Sequence, residues 1–196
     1  ASFYQQRGLH AEALTALAEI EPAAHDETAR LMTATANYAL RRFGAAAATL
    51  ENGGRAGEGE GAALYAMALA RLGAFDKAAA AFESATPPPA LRDEFHVLRA
   101  AAALEKGDAD AARAALQMAG PFQPGSALRG EAAYLAAAIE AARGDIDAAR
   151  GGWKILAERD DAAGVRASLR LIENDVAVGR MTAAAALAQA RSIALR

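Results

Sequence analysis

The feature of this sequence that most constrains its fold is a turn that recurs at nearly even intervals along the 196 residues. The clearest unit is 61–85, GAALYAMALARLGAFDKAAAAFESA, whose pattern indicates two short amphipathic helices joined at Gly73. Equivalent turn positions are Gly8, Arg41, Gly73, Gly107, Gly144 and Gly179. Their spacings of 33, 32, 34, 37 and 35 residues are typical of stacked two-helix repeats.

Composition favours an all-α fold. Ala occupies 60 of the 196 positions, and it has the highest helix propensity because it loses no side-chain entropy and hides no polar group. No stretch alternates apolar and polar residues over the length of a strand, so we predict no sheet. The prolines fall between the predicted hairpins, where a missing amide breaks no helix. They are Pro22, Pro87 to Pro89, Pro121 and Pro124.

One hairpin of this kind cannot bury its apolar stripe alone, so we expect successive hairpins to stack and share a core. The prediction is a single helical repeat domain over 1–196. Its units are approximately 1–22, 26–53, 59–86, 91–120, 126–158 and 161–196. The side chains expected in the core are Phe43, Phe75, Phe82, Leu116, Ile146 and Trp153.

The third unit contains a small residue within its first helix, a Gly in the turn, an aromatic residue just after it, and then Ala and a large apolar residue four positions apart. These are Ala66, Gly73, Phe75, Ala78 and Phe82. With this pattern the chain resembles the tetratricopeptide repeat family over nearly its whole length, although Arg41 stands where Gly is usual. The resemblance implies a right-handed superhelical solenoid of about five to six antiparallel helix-turn-helix repeats, whose first helices form a concave groove.

The resemblance also implies that this groove binds a protein or peptide segment. The family's groove positions, carried over to this sequence, are Leu31, Thr35, Tyr38, Ala63, Met67, Val97, Ala101, Tyr134, Ala138, Leu169 and Glu173. The residues expected to bind the partner are Leu31, Thr35, Tyr38, Met67, Val97, Tyr134 and Glu173, together with Arg71. The Lys, Asn and Arg residues with which one branch of the family clamps a terminal carboxylate are absent, so we expect no receptor of that type. Arg71, Arg99 and Arg170 would favour an acidic ligand if they lay in the groove. The alternative is that the groove residues only pack against the second helices.

Residues suited to catalysis are scattered. The three histidines, His10, His25 and His96, are not spaced as a metal pair. The Gly-rich stretch 52–61, NGGRAGEGEG, lacks the Lys-Ser or Lys-Thr of a phosphate loop. Acid pairs follow two turn glycines, at Asp108 with Asp110 and at Asp145 with Asp147, where the start of a helix favours a carboxylate. We therefore expect a protein that is not an enzyme, with no cofactor and no metal.

The net charge and the length of the apolar runs argue against two classes of partner, nucleic acids and the membrane interior. A net charge of −3 with mixed signs does not favour nucleic-acid binding. No apolar run approaches the roughly 20 residues of a membrane helix, so we expect no direct membrane insertion. The excess of Arg over Lys, with abundant Ala, indicates a GC-rich bacterial genome. The chain begins at Ala1 close to a predicted helix, and we expect a piece of a longer protein.

Three features of the sequence bear on the cellular compartment and on self-association. The absence of Cys fits either redox environment. The last unit, from Leu171 onward, resembles a segment of long repeat proteins in the alphaproteobacterial envelope, which favours the periplasm over the cytoplasm. Uncapped repeat ends would promote self-association. The sequence thus favours a protein-interaction scaffold, and the alternative is a structural spacer or self-assembly module within a larger envelope protein.

Overall fold

The computed structural model describes residues 7–19, 26–54 and 56–194. Within these ranges the chain forms eleven α-helices, a 3-10 turn at Pro89–Leu91 and no β-strand. The α-helices are α1 His10–Ala18, α2 Glu27–Ala39, α3 Phe43–Asn52, α4 Gly59–Arg71, α5 Phe75–Glu83, α6 Arg92–Glu105, α7 Ala109–Gln117, α8 Ala127–Ala142, α9 Ile146–Ala157, α10 Ala162–Ala177 and α11 Ala183–Ala194. The all-α prediction is confirmed.

The helices pack in chain order, and each contacts the next. Every predicted unit from 26–53 to 161–196 contains two helices, so the chain after α1 forms five helical hairpins. The first helices of successive hairpins, α2, α4, α6, α8 and α10, also contact one another in sequence. Residues before Arg7, together with Pro22 and His25, lie outside the described residues.

The turn positions identified from the sequence share one backbone conformation. All six have a positive φ, from 58° at Arg41 to 90° at Gly144. In five of the turns the amide that follows this residue donates to the carbonyl five positions earlier, as from Ala74 to Leu69 at 2.9 Å. This is the Schellman ending of an α-helix, which requires a left-handed residue and therefore favours Gly. The repeat signal thus marks the sites where each first helix ends.

Arg41 is the one residue other than Gly with a positive φ among the described residues. A side chain in this conformation is strained, so we expect Arg41→Gly to raise the free energy of unfolding by about 0.5–1 kcal/mol. The matched control is Arg42→Gly, which removes the same charge at a φ of −87° and should be neutral or destabilising. Urea denaturation followed by circular dichroism compares the two variants. Equal stability of both would contradict the strain argument.

The acidic residues after the turns cap the second helices. The Asp108 and Asp145 side chains accept hydrogen bonds from the amides of Ala111 and Ala148, at 2.8 and 3.0 Å. These bonds satisfy amides that have no partner within the helix. The interpretation of these acids as helix starts is therefore confirmed.

The core runs through the stack as clusters of small and large apolar side chains. Phe82 and Trp153 are buried in it, as predicted. Phe43, Phe75 and Leu116 pack against its edge and are partly buried. The prediction for Ile146 is wrong, because this side chain is 39% exposed. It is the first residue of α9, and the buried face of that helix starts one turn later, at Ala149.

Helix α4 is the most enclosed of the first helices. Helix α4 contacts α2, α3, α5 and α6, and nine of its 13 residues are buried. Many of these residues are Ala, whose small side chain permits close approach of helix axes. As a result, few positions on α4 remain available to any ligand.

No helix in the described part of the chain is long and apolar enough to cross a bilayer.

Candidate functional site

A groove of about 900 Å³ lies along the first helices. Its walls come from α2, α4 and the N-terminal turns of α6, α8 and α10, together with the segment that precedes α6. Four leucines contribute apolar surface to the lining. They are Leu31, Leu64, Leu91 and Leu128.

A hydrogen-bonded cluster of four side chains lies at the centre of this groove, and we call it the central network. The Tyr38 hydroxyl donates to Glu94 Oε1 at 2.7 Å. Arg71 donates to the same oxygen through Nε at 3.1 Å and Nη2 at 2.6 Å. The Nη1 atom of Arg71 donates to both oxygens of Glu131, at 3.1 and 3.2 Å. The network therefore joins α2, α4, α6 and α8, the first helices of four successive hairpins.

The electrostatics of the network fix its protonation states. Burial raises the pKa of the Tyr38 hydroxyl, and the Glu94 carboxylate raises it further. Burial lowers the pKa of Arg71, but the Glu131 and Glu94 carboxylates outweigh that effect, so the net shift is upward. Tyr38 therefore remains a neutral donor and Arg71 remains a cation at ordinary pH.

Four of the residues predicted for partner binding line the groove: Leu31, Thr35, Tyr38 and Arg71. Met67 and Val97 do not, because both are 0% exposed and lie in the core. The family's groove register places them on the inner face, but on these helices that position is covered by neighbouring helices. Met67 and Val97 therefore follow the alternative interpretation, in which such residues pack within the fold and contact no ligand.

Tyr134 and Glu173 lie beside the groove rather than among its lining residues. Arg170 Nε donates to the Tyr134 hydroxyl at 3.1 Å, and Arg170 Nη1 donates to Glu173 at 2.8 Å. The guanidinium of Arg166 lies 4.7 Å from the centre of the Tyr134 ring. Of these four residues, Arg166 alone lines the groove.

The three arginines that would favour an acidic ligand if they lay in the groove have different positions in the structure. Arg71 lies in the groove beside Tyr38, but two carboxylates already pair with it. Arg99 and Arg170 are exposed and do not line the groove. None of these three is therefore an unpaired cation in the groove, where the other arginines in the lining are Arg41 and Arg166.

Sequence reasoning missed Glu94, Glu131 and Leu128. Glu94 lies in the first turn of α6, where an acidic residue is favoured by the helix start alone. A signal was present for α4 and α6, because acidic residues lie in their first turns and Arg71 ends α4, whereas Glu131 lies beyond the first turn of α8. That recurrence indicates shared position, but it contains no information about which helices converge.

The two histidines that the structure describes, His10 and His96, lie in different surroundings. His10 lines one end of the groove. His96 is buried, and its pKa is lowered by burial and then by the nearby Arg92 and Arg99 cations. Among the described residues, no three His, Asp or Glu side chains lie together as a metal site. What the groove offers chemically is apolar contact, carboxylate hydrogen-bond acceptors and the guanidinium donors of Arg41 and Arg166.

Comparisons with known proteins give no relative for this chain. No family model matches it, and no curated protein or solved structure does so either. The resemblance to tetratricopeptide repeats therefore rests on the residues of the chain alone.

Proposed function

We propose that this chain is a non-catalytic protein-interaction scaffold of the tetratricopeptide type, which binds a segment of a partner protein in the groove. The observation that carries the proposal is the groove itself, with apolar walls and polar acceptors contributed by five successive first helices. Adjacent helix axes are roughly 8–10 Å apart, so four such steps span at most about 40 Å. That distance corresponds to about 11–12 residues of extended chain.

The reach of the central network supports a curved, superhelical stack with the first helices on its inner side. Tyr38 of the second unit contacts Glu94 of the fourth, and Arg71 of the third contacts Glu131 of the fifth. Helices two units apart in a straight stack would be separated by roughly 16–20 Å. Direct side-chain contact over that separation favours convergence of the axes toward the groove.

Photo-crosslinking in the source cells tests the proposal. A benzophenone amino acid would replace Thr35 or Leu128 in the groove, or Ile155 as the control, since Ile155 is 72% exposed outside it. We expect crosslinks to a second protein from the two groove positions and not from Ile155. Mass spectrometry of the crosslinked peptide then identifies the bound segment. If all three positions crosslinked to the same set of other proteins, the result would contradict groove binding.

A spacer or self-assembly module is the second candidate, and one observation favours it. Helix α11 has no buried residue, and Leu187 on this helix is 54% exposed. The apolar Val178 just before it is also largely exposed. If the crosslinks join only copies of this chain, and sedimentation shows oligomers that Leu187→Gln dissociates, self-assembly takes the place of groove binding.

A further inference from the structure

The centre of the groove contains an unbalanced negative charge. Glu94 and Glu131 are two carboxylates that share the single Arg71 guanidinium, and Tyr38 contributes only a neutral hydroxyl. In the wider lining the two signs nearly balance, because Asp161 is paired with Arg159, so the excess of negative charge is local to Glu94 and Glu131. The carboxylates of the lining are Glu60, Glu94, Glu131 and Asp161, and its guanidinium groups are Arg41, Arg71 and Arg166.

One oxygen of the network is available to a ligand. Glu94 Oε1 accepts all the hydrogen bonds from Tyr38 and Arg71, whereas no donor from the described residues contacts Glu94 Oε2. The Glu94 side chain is 21% exposed and that of Glu131 is 17% exposed, so both are accessible from the groove. A carboxylate can accept about four hydrogen bonds, so this pair has unused capacity.

Arg71, by contrast, has little to offer an anion. Each of its three guanidinium nitrogens already donates to a carboxylate. An acidic side chain in the centre of the groove would place a third carboxylate beside Glu94 and Glu131. Charge complementarity across an interface selects between partners more than it adds affinity, and like charges in contact are strongly disfavoured.

From these contacts we propose that the bound segment contains a Lys or Arg side chain, which donates to Glu94 Oε2 and Glu131, with apolar residues on both sides. The apolar neighbours pack against Leu31 of α2 and Leu128 of α8, the outer two of the four helices that the central network joins. This inference rests on the proposed function, since it names the chemistry of the segment that the groove binds. A hydrogen bond to a charged group contributes about tenfold more to affinity than one to a neutral group.

Selection from a library of random twelve-residue peptides displayed on phage tests this inference on the whole chain. Groove peptides are those whose binding is weakened by the combined variant Leu31→Gln and Leu128→Gln. We expect them to share one Lys or Arg between apolar residues. Replacing that residue with Gln should weaken binding about tenfold, and so should Glu94→Gln or Glu131→Gln in the protein. Each protein variant leaves one carboxylate to pair with Arg71.

The matched control is Glu140→Gln, which neutralises a carboxylate paired with Arg113 away from the groove and should leave affinity unchanged. Circular dichroism establishes that each variant is folded. Groove peptides without a shared basic residue, or with unchanged affinity for Glu94→Gln and Glu131→Gln, would overturn the inference while leaving groove binding intact. If no selected peptide depends on Leu31 and Leu128, the proposed function fails as well.

Discussion

Replacing Phe95 with Ala should lower the free energy of unfolding by about 3–5 kcal/mol, the range typical of a buried Phe truncated to Ala. Phe95 is 1% exposed. Its ring meets that of Phe82 edge to face, with ring centres 4.9 Å apart at 83°. Such a pair contributes about 0.5–1.5 kcal/mol beyond the area that it buries.

Because of where Phe95 lies, the shape of the denaturation curve of Phe95→Ala reports on the interface between two hairpins. Phe95 belongs to α6 of the fourth unit and Phe82 to α5 of the third, so the contact lies between two hairpins. In a stacked array, stability is approximately a sum of repeat terms and interface terms. We therefore expect Phe95→Ala to weaken one interface and to broaden the denaturation curve, as the two halves begin to unfold separately.

Guanidinium denaturation, followed by circular dichroism and by Trp153 fluorescence, measures both effects. The control is Ile155→Ala, which removes a side chain that is 72% exposed and should change stability by less than about 0.5 kcal/mol. A loss below about 1 kcal/mol in Phe95→Ala would show that this inter-hairpin contact is not a main source of stability.

The repeat could be predicted from the sequence because its signals are local. A residue with a left-handed backbone ends each first helix, and that requirement places a Gly at almost every turn. The register along the second helix follows from the turn: Phe82 and Trp153 each stand nine residues after their turn glycine, and both are buried as predicted. Phe95 was missed because it lies on a first helix, far from the turn that marks the repeat.

The site was harder to predict because it depends on how hairpins stack. Tyr38 was identified by its register on the first helix, but so were Met67 and Val97, which are buried. Register gives the direction of a side chain relative to its own helix. Whether that direction meets solvent or another helix depends on the neighbouring hairpins, which a period of about 34 residues does not define. Contacts such as Tyr38 with Glu94, 56 residues apart, have no local signal.

The second large effect is expected at the central network. Arg71→Met keeps an apolar stem of similar length but removes the cation, which leaves Glu94 and Glu131 close together without a partner. Breaking a buried ion pair costs about 3–5 kcal/mol. The three side chains are 17–25% exposed, so solvent screening reduces the loss. We expect a decrease of about 2–3 kcal/mol in the free energy of unfolding, measured by urea denaturation.

Two further variants identify the cause of that loss. Arg113→Met breaks a more exposed pair with Glu140, whose side chains are 39% and 33% exposed, and should cost at most about 1 kcal/mol. The triple variant Arg71→Met, Glu94→Gln, Glu131→Gln removes the uncompensated carboxylates and should recover most of the stability. If it remains as unstable as Arg71→Met, the loss comes from packing of the arginine stem. Recovery would instead mean that Arg71 holds two carboxylates at the centre of the groove against their mutual repulsion, which is the arrangement a cationic ligand would need.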